Sequence, residues 1–326
     1  MPILLLTVAG LAAFFAPAIA SAHEVYVLTP GEIHTGLTMP SFNEIATMFS
    51  NIPAFLFWGF IAVLTIFVVF FASISRSLER RFDPFFTRMR RYAAPIARVT
   101  VGISFLAAAY YQASYGPELP LIVTFGAYSN IVTVILIIIG LLITLGIWTR
   151  AAALVALALF SIAVWYHGIY MLTYTNYLGE ILVLLGVVAA RYRFALLRIC
   201  FGVSLFYASF YAKILHNYLA LQVADLPLAG HSVSIAQALG FEPHFLVLGA
   251  AIIEILIALF FIFGVEIRFT SFFLLFWLSL SLWWFGEVVW PHIILIGIPC
   301  AFIFWGYDKY SLEGWLFKRG AREPVL

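Results

Sequence analysis

The fold of this chain is decided by apolar segments such as residues 198–218, which read RICFGVSLFYASFYAKILHNY. An apolar run of about 20 residues is long enough to cross the ~30 Å hydrocarbon core of a bilayer as a helix. After Arg198, the only Lys, Arg, Asp or Glu in this run is Lys213, and an unpaired cation in a membrane helix costs about 2.5 kcal/mol or more. We therefore expect an acidic side chain beside Lys213.

The composition has the same character along the whole chain. Of the 326 residues, 64% are apolar, 18% aromatic and only 10% charged, and the mean hydropathy is +1.07. These values predict an all-α, polytopic membrane protein with the lipid bilayer as its main partner and no nucleic-acid partner. The two cysteines, Cys200 and Cys300, form no CxxC motif, which argues against thiol redox chemistry and a disulfide framework.

The first 22 residues have the pattern of a signal peptide. A short apolar run ends in Ala20-Ser21-Ala22, which fits a small-x-small cleavage site, although an uncleaved anchor is the alternative. Cleavage would leave residues 23–51 as an extracytoplasmic segment that starts at His23. An N-terminal histidine offers its amine and its ring to Cu(II), but an ordinary signal-peptide boundary is the favoured interpretation.

After the signal peptide we predict about nine transmembrane helices, several of them short. They cover residues 53–74, 98–115, 129–147, 151–171, 174–190, 198–217, 244–264, 268–286 and 290–307. The chain then divides into an extra helix with a basic cytoplasmic loop (52–97), a first four-helix repeat (98–193), a second four-helix repeat (194–308) and a cytoplasmic tail (309–326).

The cations predict the orientation in the membrane. In the nine-helix arrangement, every Lys and Arg except Lys213 falls on one side, which the positive-inside rule makes cytoplasmic. We therefore expect a multi-pass plasma-membrane protein with an extracytoplasmic N-terminus and a cytoplasmic C-terminus. The arginine-rich loop 75–97 is interpreted as a basic amphipathic stretch on anionic headgroups, with docking of a soluble partner as the alternative.

Matching motifs predict an internal repeat. The pattern RxxxGxSxxxxxxY begins at both Arg98 and Arg198, and GIWTR at 146–150 matches GVEIR at 264–268. Each predicted unit holds four helices, so both units should have the same orientation. We expect an axis along the membrane normal and a site at the interface, as in parallel transporter repeats.

Counting residues along the helices predicts a partner for Lys213. Lys213 lies 15 residues after Arg198, about 22 Å along a helix, and Glu254 lies 14 residues before Arg268, about 21 Å. The two side chains are therefore expected to form an ion pair in the outer third of the membrane.

The same counting places other polar and aromatic side chains near this level. We name as candidate catalytic residues Lys213, Glu254, His216, His292, Glu180 and His167. The aromatic candidates for walling a flat-ring ligand are Trp165, Trp283 and Trp284. Weaker candidates for holding a metal are His23, His34 and His244.

The second unit resembles the DoxX family of four-helix membrane proteins over roughly residues 198–307. The resemblance rests on an R-xxx-G…K…E…G-xxx-R pattern formed by Arg198, Gly202, Lys213, Glu254, Gly264 and Arg268. The first unit keeps the arginines and glycines but has Ala113 and Leu136 at the lysine and glutamate positions. The resemblance implies membrane redox work, because the family includes subunits of thiosulfate:quinone oxidoreductases and partners of oxidative-stress enzymes.

Three functions remain open at this point. In the first, a quinone-linked redox subunit uses His and Glu for proton exchange and Lys213 to hold an anionic substrate, with electrons supplied by a partner subunit. In the second, the His and Glu side chains handle copper or zinc. In the third, the protein is a non-catalytic assembly subunit whose buried ion pair specifies helix packing.

Overall fold

A computed structural model describes residues 50, 52–225, 232–285 and 289–317, and the regular elements in these ranges are all helical. The α-helices are α1 (Ala54–Met89), α2 (Ala93–Tyr110), α3 (Leu121–Phe125), α4 (Ser129–Leu145), α5 (Thr149–His167), α6 (Thr175–Leu185), α7 (Ala190–Ser209), α8 (Asn217–Asp225), α9 (Ile235–Leu239), α10 (Pro243–Phe263), α11 (Ile267–Phe285), α12 (Ile293–Trp305) and α13 (Leu312–Phe317). Short 3-10 helices cover Arg90–Tyr92, Gly126–Tyr128, Gly168–Tyr174 and Trp290–His292, and Phe210–Leu215 form a π-helix. The signal peptide predicted for residues 1–22 lies outside the described residues.

The described ranges contain seven segments that are long and apolar enough to cross a bilayer. They are Ala54–Ser75, Arg81–Tyr110, Leu121–Leu145, Thr149–Leu185, Ala190–Leu215, Pro243–Phe263 and Ile267–Trp284. A shorter apolar helical segment, Trp290–Trp305, corresponds to the last predicted span. The all-α fold class is confirmed, and the protein is a multi-pass membrane protein.

The segment Thr149–Leu185 contains two of the nine predicted spans. As one straight helix, its 37 residues would be about 55 Å long, nearly twice the ~30 Å hydrocarbon thickness. Gly168 ends α5 with φ +57°, a conformation that favours glycine. Beyond the 3-10 turn, α6 packs back against α5. The chain therefore reverses its direction at Gly168.

The arginine-rich stretch predicted as a loop is mostly helical, because α1 continues to Met89. Phe71 stacks on Phe269 with a centroid distance of 5.0 Å, and Phe86 lies 6.3 Å from Phe272. The two contacts on α11 are less than one turn apart, whereas 15 residues of straight helix span about 22 Å. Helix α1 must therefore bend between them, and the sequence offers Pro84 as a cause.

The helices pack in a reciprocal pattern. We call α2–α6 the first unit and α7–α12 the second unit. Within the units, α2 packs closely on α4, and α7 packs closely on α10. Between the units, α6 packs on α7, and α12 packs on α2. The last helix of each unit thus lies against the first helix of the other.

Glycines at matching positions allow the closest helix contacts. A Cβ on Gly102 of α2 would lie 2.7 Å from the Thr144 nitrogen of α4. A Cβ on Gly202 of α7 would lie 2.8 Å from the Ala258 carbonyl oxygen of α10. Both distances are too short for a side chain, so glycine is required where these backbones meet.

Candidate functional site

Lys213 lies in the π-helix between α7 and α8. The His216 amide donates to the Tyr211 carbonyl, five residues back, at 2.9 Å, so this turn is one residue wider than an α-helical turn. A π-turn costs regular hydrogen bonding and is frequent at functional sites. The wide turn is therefore the first structural indication that the chain is specialised around Lys213.

The expected ion pair is present. Lys213 Nζ lies 3.0 Å from Glu254 Oε2, and the indole of Trp277 donates to Glu254 Oε1 at 3.3 Å. Both oxygens of the carboxylate are therefore engaged. The Lys213 side chain is 11% exposed and that of Glu254 is 24% exposed, so the pair is shielded on the lysine side and more open on the glutamate side.

Glu254 lies closer to the arginine end of the bundle than the residue count predicted. Helix α10 ends at Phe263, so the Glu254 backbone is about 14 Å from that end instead of the expected ~21 Å. The count failed because residues 264–266 form the turn before α11 and add almost no height. The long side chain of Lys213 spans the difference in height and brings Nζ to 3.0 Å from the carboxylate.

The ion pair lines a cavity of about 250 Å³. Its walls come from α7, α8, α10, α11 and the start of α12. The first unit closes one side with the 3-10 helix Gly168–Tyr174 and the first turn of α6. The lining is mostly apolar, and its main polar or amphipathic members are Glu118, Tyr170, Tyr174, Ser209, Tyr211, Lys213, Glu254, Trp277 and His292. An apolar cavity with a few convergent polar groups is typical of a ligand site.

Ser209 supplies a hydroxyl to this cavity one turn before Lys213. The residue is 2% exposed, and its Oγ has no hydrogen-bond partner among the described residues. A buried hydroxyl without a partner costs about 1–3 kcal/mol. The cavity therefore offers Ser209 as a hydrogen-bonding group for a ligand.

The first unit contributes to this cavity a carboxylate that the sequence analysis did not name as a candidate. Glu118 lies in the loop after α2, which is closed by the Leu121 amide donating to the Gln112 carbonyl at 2.9 Å. Glu118 Oε1 accepts hydrogen bonds from Tyr170, at 3.0 Å, and from Tyr174. The loop thereby places Glu118 on the wall of a cavity that belongs mainly to the second unit.

Tyr174→Phe should lower the free energy of unfolding by about 1.5–3 kcal/mol, because it removes a hydrogen bond to a carboxylate. Gly116→Ala should act in the same direction, since a Cβ there would overlap the Tyr174 hydroxyl. Tyr128→Phe is the matched control, because Tyr128 is 70% exposed. Unfolding in detergent micelles measures all three variants. Equal stabilities for Tyr174→Phe and Tyr128→Phe would contradict the role of the tyrosine–carboxylate cluster.

Among the other second-unit candidates, two line the cavity of the ion pair and two do not. His292, 2% exposed, and Trp284 both line the wall. The His216 ring packs 4.5 Å from the Tyr211 ring but is not part of the lining. Trp283 points outward and is 66% exposed, because successive residues of a helix point about 100° apart.

The remaining first-unit candidates lie away from the cavity. His167 Nε2 is 2.9 Å from Thr124 Oγ1 on α3, and Trp165 is 86% exposed on the outer surface. Glu180 lines a different cavity together with Arg98. Counting from Arg191 along a continuous helix places Glu180 about 16 Å above it, which is too high, because α6 ends at Leu185, only about 8 Å below Glu180.

The metal candidates do not assemble a centre in the described part of the chain. His244 contacts the Glu242 carboxylate at the start of α10, and His23 and His34 lie outside the described residues. Within residues 50, 52–225, 232–285 and 289–317, no three His, Cys, Asp or Glu side chains come together as a metal site would require.

Comparison with known proteins identifies one domain. Residues 194–287 match the model of the DoxX family. No curated protein and no solved structure matches the chain. The matched segment includes Lys213, Glu254 and Trp277, and it covers most of the cavity wall.

Proposed function

We propose that this multi-pass membrane protein, whose residues 194–287 form a DoxX domain, binds a quinone headgroup beside Lys213 and Glu254 as a quinone-linked redox subunit. The observation that carries the proposal is the 3.0 Å ion pair in the wall of a mostly apolar cavity of about 250 Å³. A flat apolar ring with polar oxygens suits such a lining, since apolar walls give affinity and a few polar groups give orientation.

The residues of the cavity fit the oxygens of a quinone. The Lys213 ammonium is a donor with three protons, and the Ser209 hydroxyl can donate to an acceptor in the cavity. When bound, a quinone supplies the electron-accepting chemistry, taking up two electrons and two protons. We assign the electrons to a partner redox protein.

Proton exchange is the task we assign to the acidic and imidazole groups. Glu254 can hold or release a proton at the carboxylate that Lys213 and Trp277 orient. His292 lines the same cavity and is the second group suited to proton exchange. The apolar wall keeps bulk water away from His292, which is 2% exposed, whereas Glu254 is more open.

We also infer that the bundle consists of two related four-helix units. The reciprocal packing of α6 on α7 and α12 on α2 supports this inference. Gly102 meets Thr144 as Gly202 meets Ile262, and the two contacts occupy matching positions in the RxxxG and GxxxR motifs. Parallel repeats of this kind create sites at their interface, which is where Glu118 of the first unit joins the cavity.

The orientation that we propose places the arginine end of the bundle in the cytoplasm. Arg150 and Arg268 are the second residues of α5 and α11, and the guanidinium groups of Arg98 and Arg198 lie against Gly146 and Gly264 in the turns before those helices. The positive-inside rule supports a cytoplasmic location for these turns, with the cavity opening toward the extracytoplasmic half of the plasma membrane.

Ser209→Ala should weaken quinone binding about fivefold, because one neutral hydrogen bond contributes about 1 kcal/mol. The free energy of unfolding should stay equal or rise, since the variant removes a buried hydroxyl that has no partner among the described residues. Titration of a short-chain benzoquinone into the protein in nanodiscs measures the affinity. Ser161→Ala, which removes an exposed serine hydroxyl on α5, is the matched control and should bind like the wild type.

Two results would overturn the proposal. One is the absence of quinone binding by the folded wild-type protein, which would favour a non-catalytic assembly role. The other is equal binding by Ser209→Ala and Ser161→Ala, which would place the quinone elsewhere. Metal analysis of the same sample tests the copper or zinc alternative, which predicts stoichiometric metal.

A further inference from the structure

A second cavity lies at the arginine end of the first unit. It has a volume of about 300 Å³ and is bounded by α2, the start of α5, α6, α7 and the end of α12. The polar groups of its lining are those of Arg98, Thr149, Arg150, Glu180 and Arg193 and the indole N–H of Trp305. With three guanidinium groups and one carboxylate, the lining carries a net positive charge.

The corresponding arginines of the second unit are neutralised by carboxylates. Arg198 Nε lies 3.2 Å from Asp308 Oδ2, and Arg268 Nη1 lies 3.0 Å from Asp83 Oδ1. Neither arginine is therefore available to an external anion.

The first unit lacks these partners. Asp308 stands two residues after Gly306, whereas Val188 stands two residues after the matching Gly186. Among the described side chains, no carboxylate forms an ion pair of this kind with Arg98 or Arg150. The open basic cavity therefore lies in the unit that lacks these ion pairs.

Three buried atoms of this cavity have unmet hydrogen-bonding capacity, and one of them is the indole nitrogen of Trp305, which has no acceptor among the described residues. Arg98 Nε is buried and has no acceptor in the described part of the chain. Glu180 is 2% exposed, and its Oε2 has no donor there. A ligand that satisfies all three atoms needs anionic oxygens for the arginines and the indole, and a hydrogen-bond donor, such as a hydroxyl, for the glutamate.

We infer that this cavity binds an anionic phospholipid whose headgroup carries hydroxyls, as phosphatidylglycerol does. The phosphate oxygens accept from the guanidinium groups, which match phosphate geometry, and a headgroup hydroxyl donates to Glu180 Oε2. Basic pockets between membrane helices are known to hold anionic headgroups. A membrane lipid fits better than free phosphate because the neighbouring turn exposes Leu145, Ile147 and Trp148 by 65%, 51% and 78%.

Native mass spectrometry of the purified full-length protein tests the inference. The delipidated protein is mixed with phosphatidylglycerol, phosphatidylserine or phosphatidylcholine, with and without inorganic phosphate. We expect Arg150→Gln to bind phosphatidylglycerol about fivefold more weakly. Arg150 is exposed, so this variant should fold. Arg191→Gln removes an exposed arginine at the same end that does not line the cavity, and it should bind like the wild type.

Glu180→Ala separates hydroxyl recognition from charge attraction. The variant should lose the preference for phosphatidylglycerol over phosphatidylserine while binding both anionic lipids at least as tightly, because a negative charge is gone. Equal losses in Arg150→Gln and Arg191→Gln would overturn the site in favour of diffuse charge. Displacement of the lipid by inorganic phosphate at equal concentration would assign the cavity to a free anion. No preference between the two lipids in the wild type would overturn the role of Glu180.

Discussion

Lys213→Met is expected to lower the free energy of unfolding by about 3 kcal/mol. Removing one partner of a buried ion pair typically costs about 3–5 kcal/mol, because the other charge stays behind in a low dielectric. We expect the lower end of that range because the Glu254 side chain is 24% exposed and keeps its hydrogen bond from Trp277. Unfolding of the purified protein in detergent micelles measures the effect.

The double variant Lys213→Met/Glu254→Gln separates packing from function. Replacing both charges by neutral side chains of similar volume is often neutral for stability, so most of the lost free energy should return. Quinone binding should not return, because the ammonium donor is still missing. If the double variant recovered both stability and quinone binding, the ion pair would serve helix packing alone, and the proposed site would be lost.

The ion pair could be predicted because its physical cause is visible in the sequence. A single lysine in an apolar helix needs a counter-charge, and Glu254 is the acidic residue within the next long apolar segment. The all-α fold class follows from the same apolar runs. The ion pair follows mainly from the cost of an unpaired charge in lipid, and the fold class follows from the need of a membrane-spanning backbone to satisfy its own hydrogen bonds.

Heights along the bundle were less predictable because turns contribute little height. Counting from Arg268 and Arg191 treated residues 264–266 and 186–189 as helix, which raised Glu254 and Glu180 by several ångströms. For Glu254 the error was harmless, since the lysine side chain spans the gap. For Glu180 the error mattered, because the predicted height is near that of Lys213, whereas the carboxylate lines the second cavity.

The contribution of the first unit could not be predicted from local patterns. Glu118 lies in a polar loop, where a carboxylate needs no explanation, and its tyrosine partners are more than 50 residues away in the sequence. Likewise, Trp165 and Trp283 have the same hydropathy as Trp284, and only the rotation of each helix decides which indole faces inward. Such choices depend on tertiary packing, for which one sequence offers no signal.

The arginines at the other end of the bundle give the second large prediction. Arg198 is completely buried, and its Nη1 donates to the carbonyls of Phe261 and of Ile262, the latter at 2.7 Å, while Nε faces Asp308. Arg198 therefore joins the end of α10 to the segment after α12. Arg198→Met should lower the free energy of unfolding by about 3–5 kcal/mol, because Asp308 and two carbonyl oxygens lose a buried donor.

Arg98→Met is the matched control, because Arg98 occupies the same motif position and Val188 replaces the acidic partner. We expect this variant to lose about 1 kcal/mol or less, since Arg98 forms no close ion pair among the described residues, although the Glu180 carboxylate lines the same cavity. Unfolding of both variants under one detergent condition gives the comparison. Equal large losses would mean that the arginines stabilise the bundle through contacts common to both units. A loss confined to Arg198→Met would instead assign the stabilisation to the buried ion pair of Arg198 with Asp308.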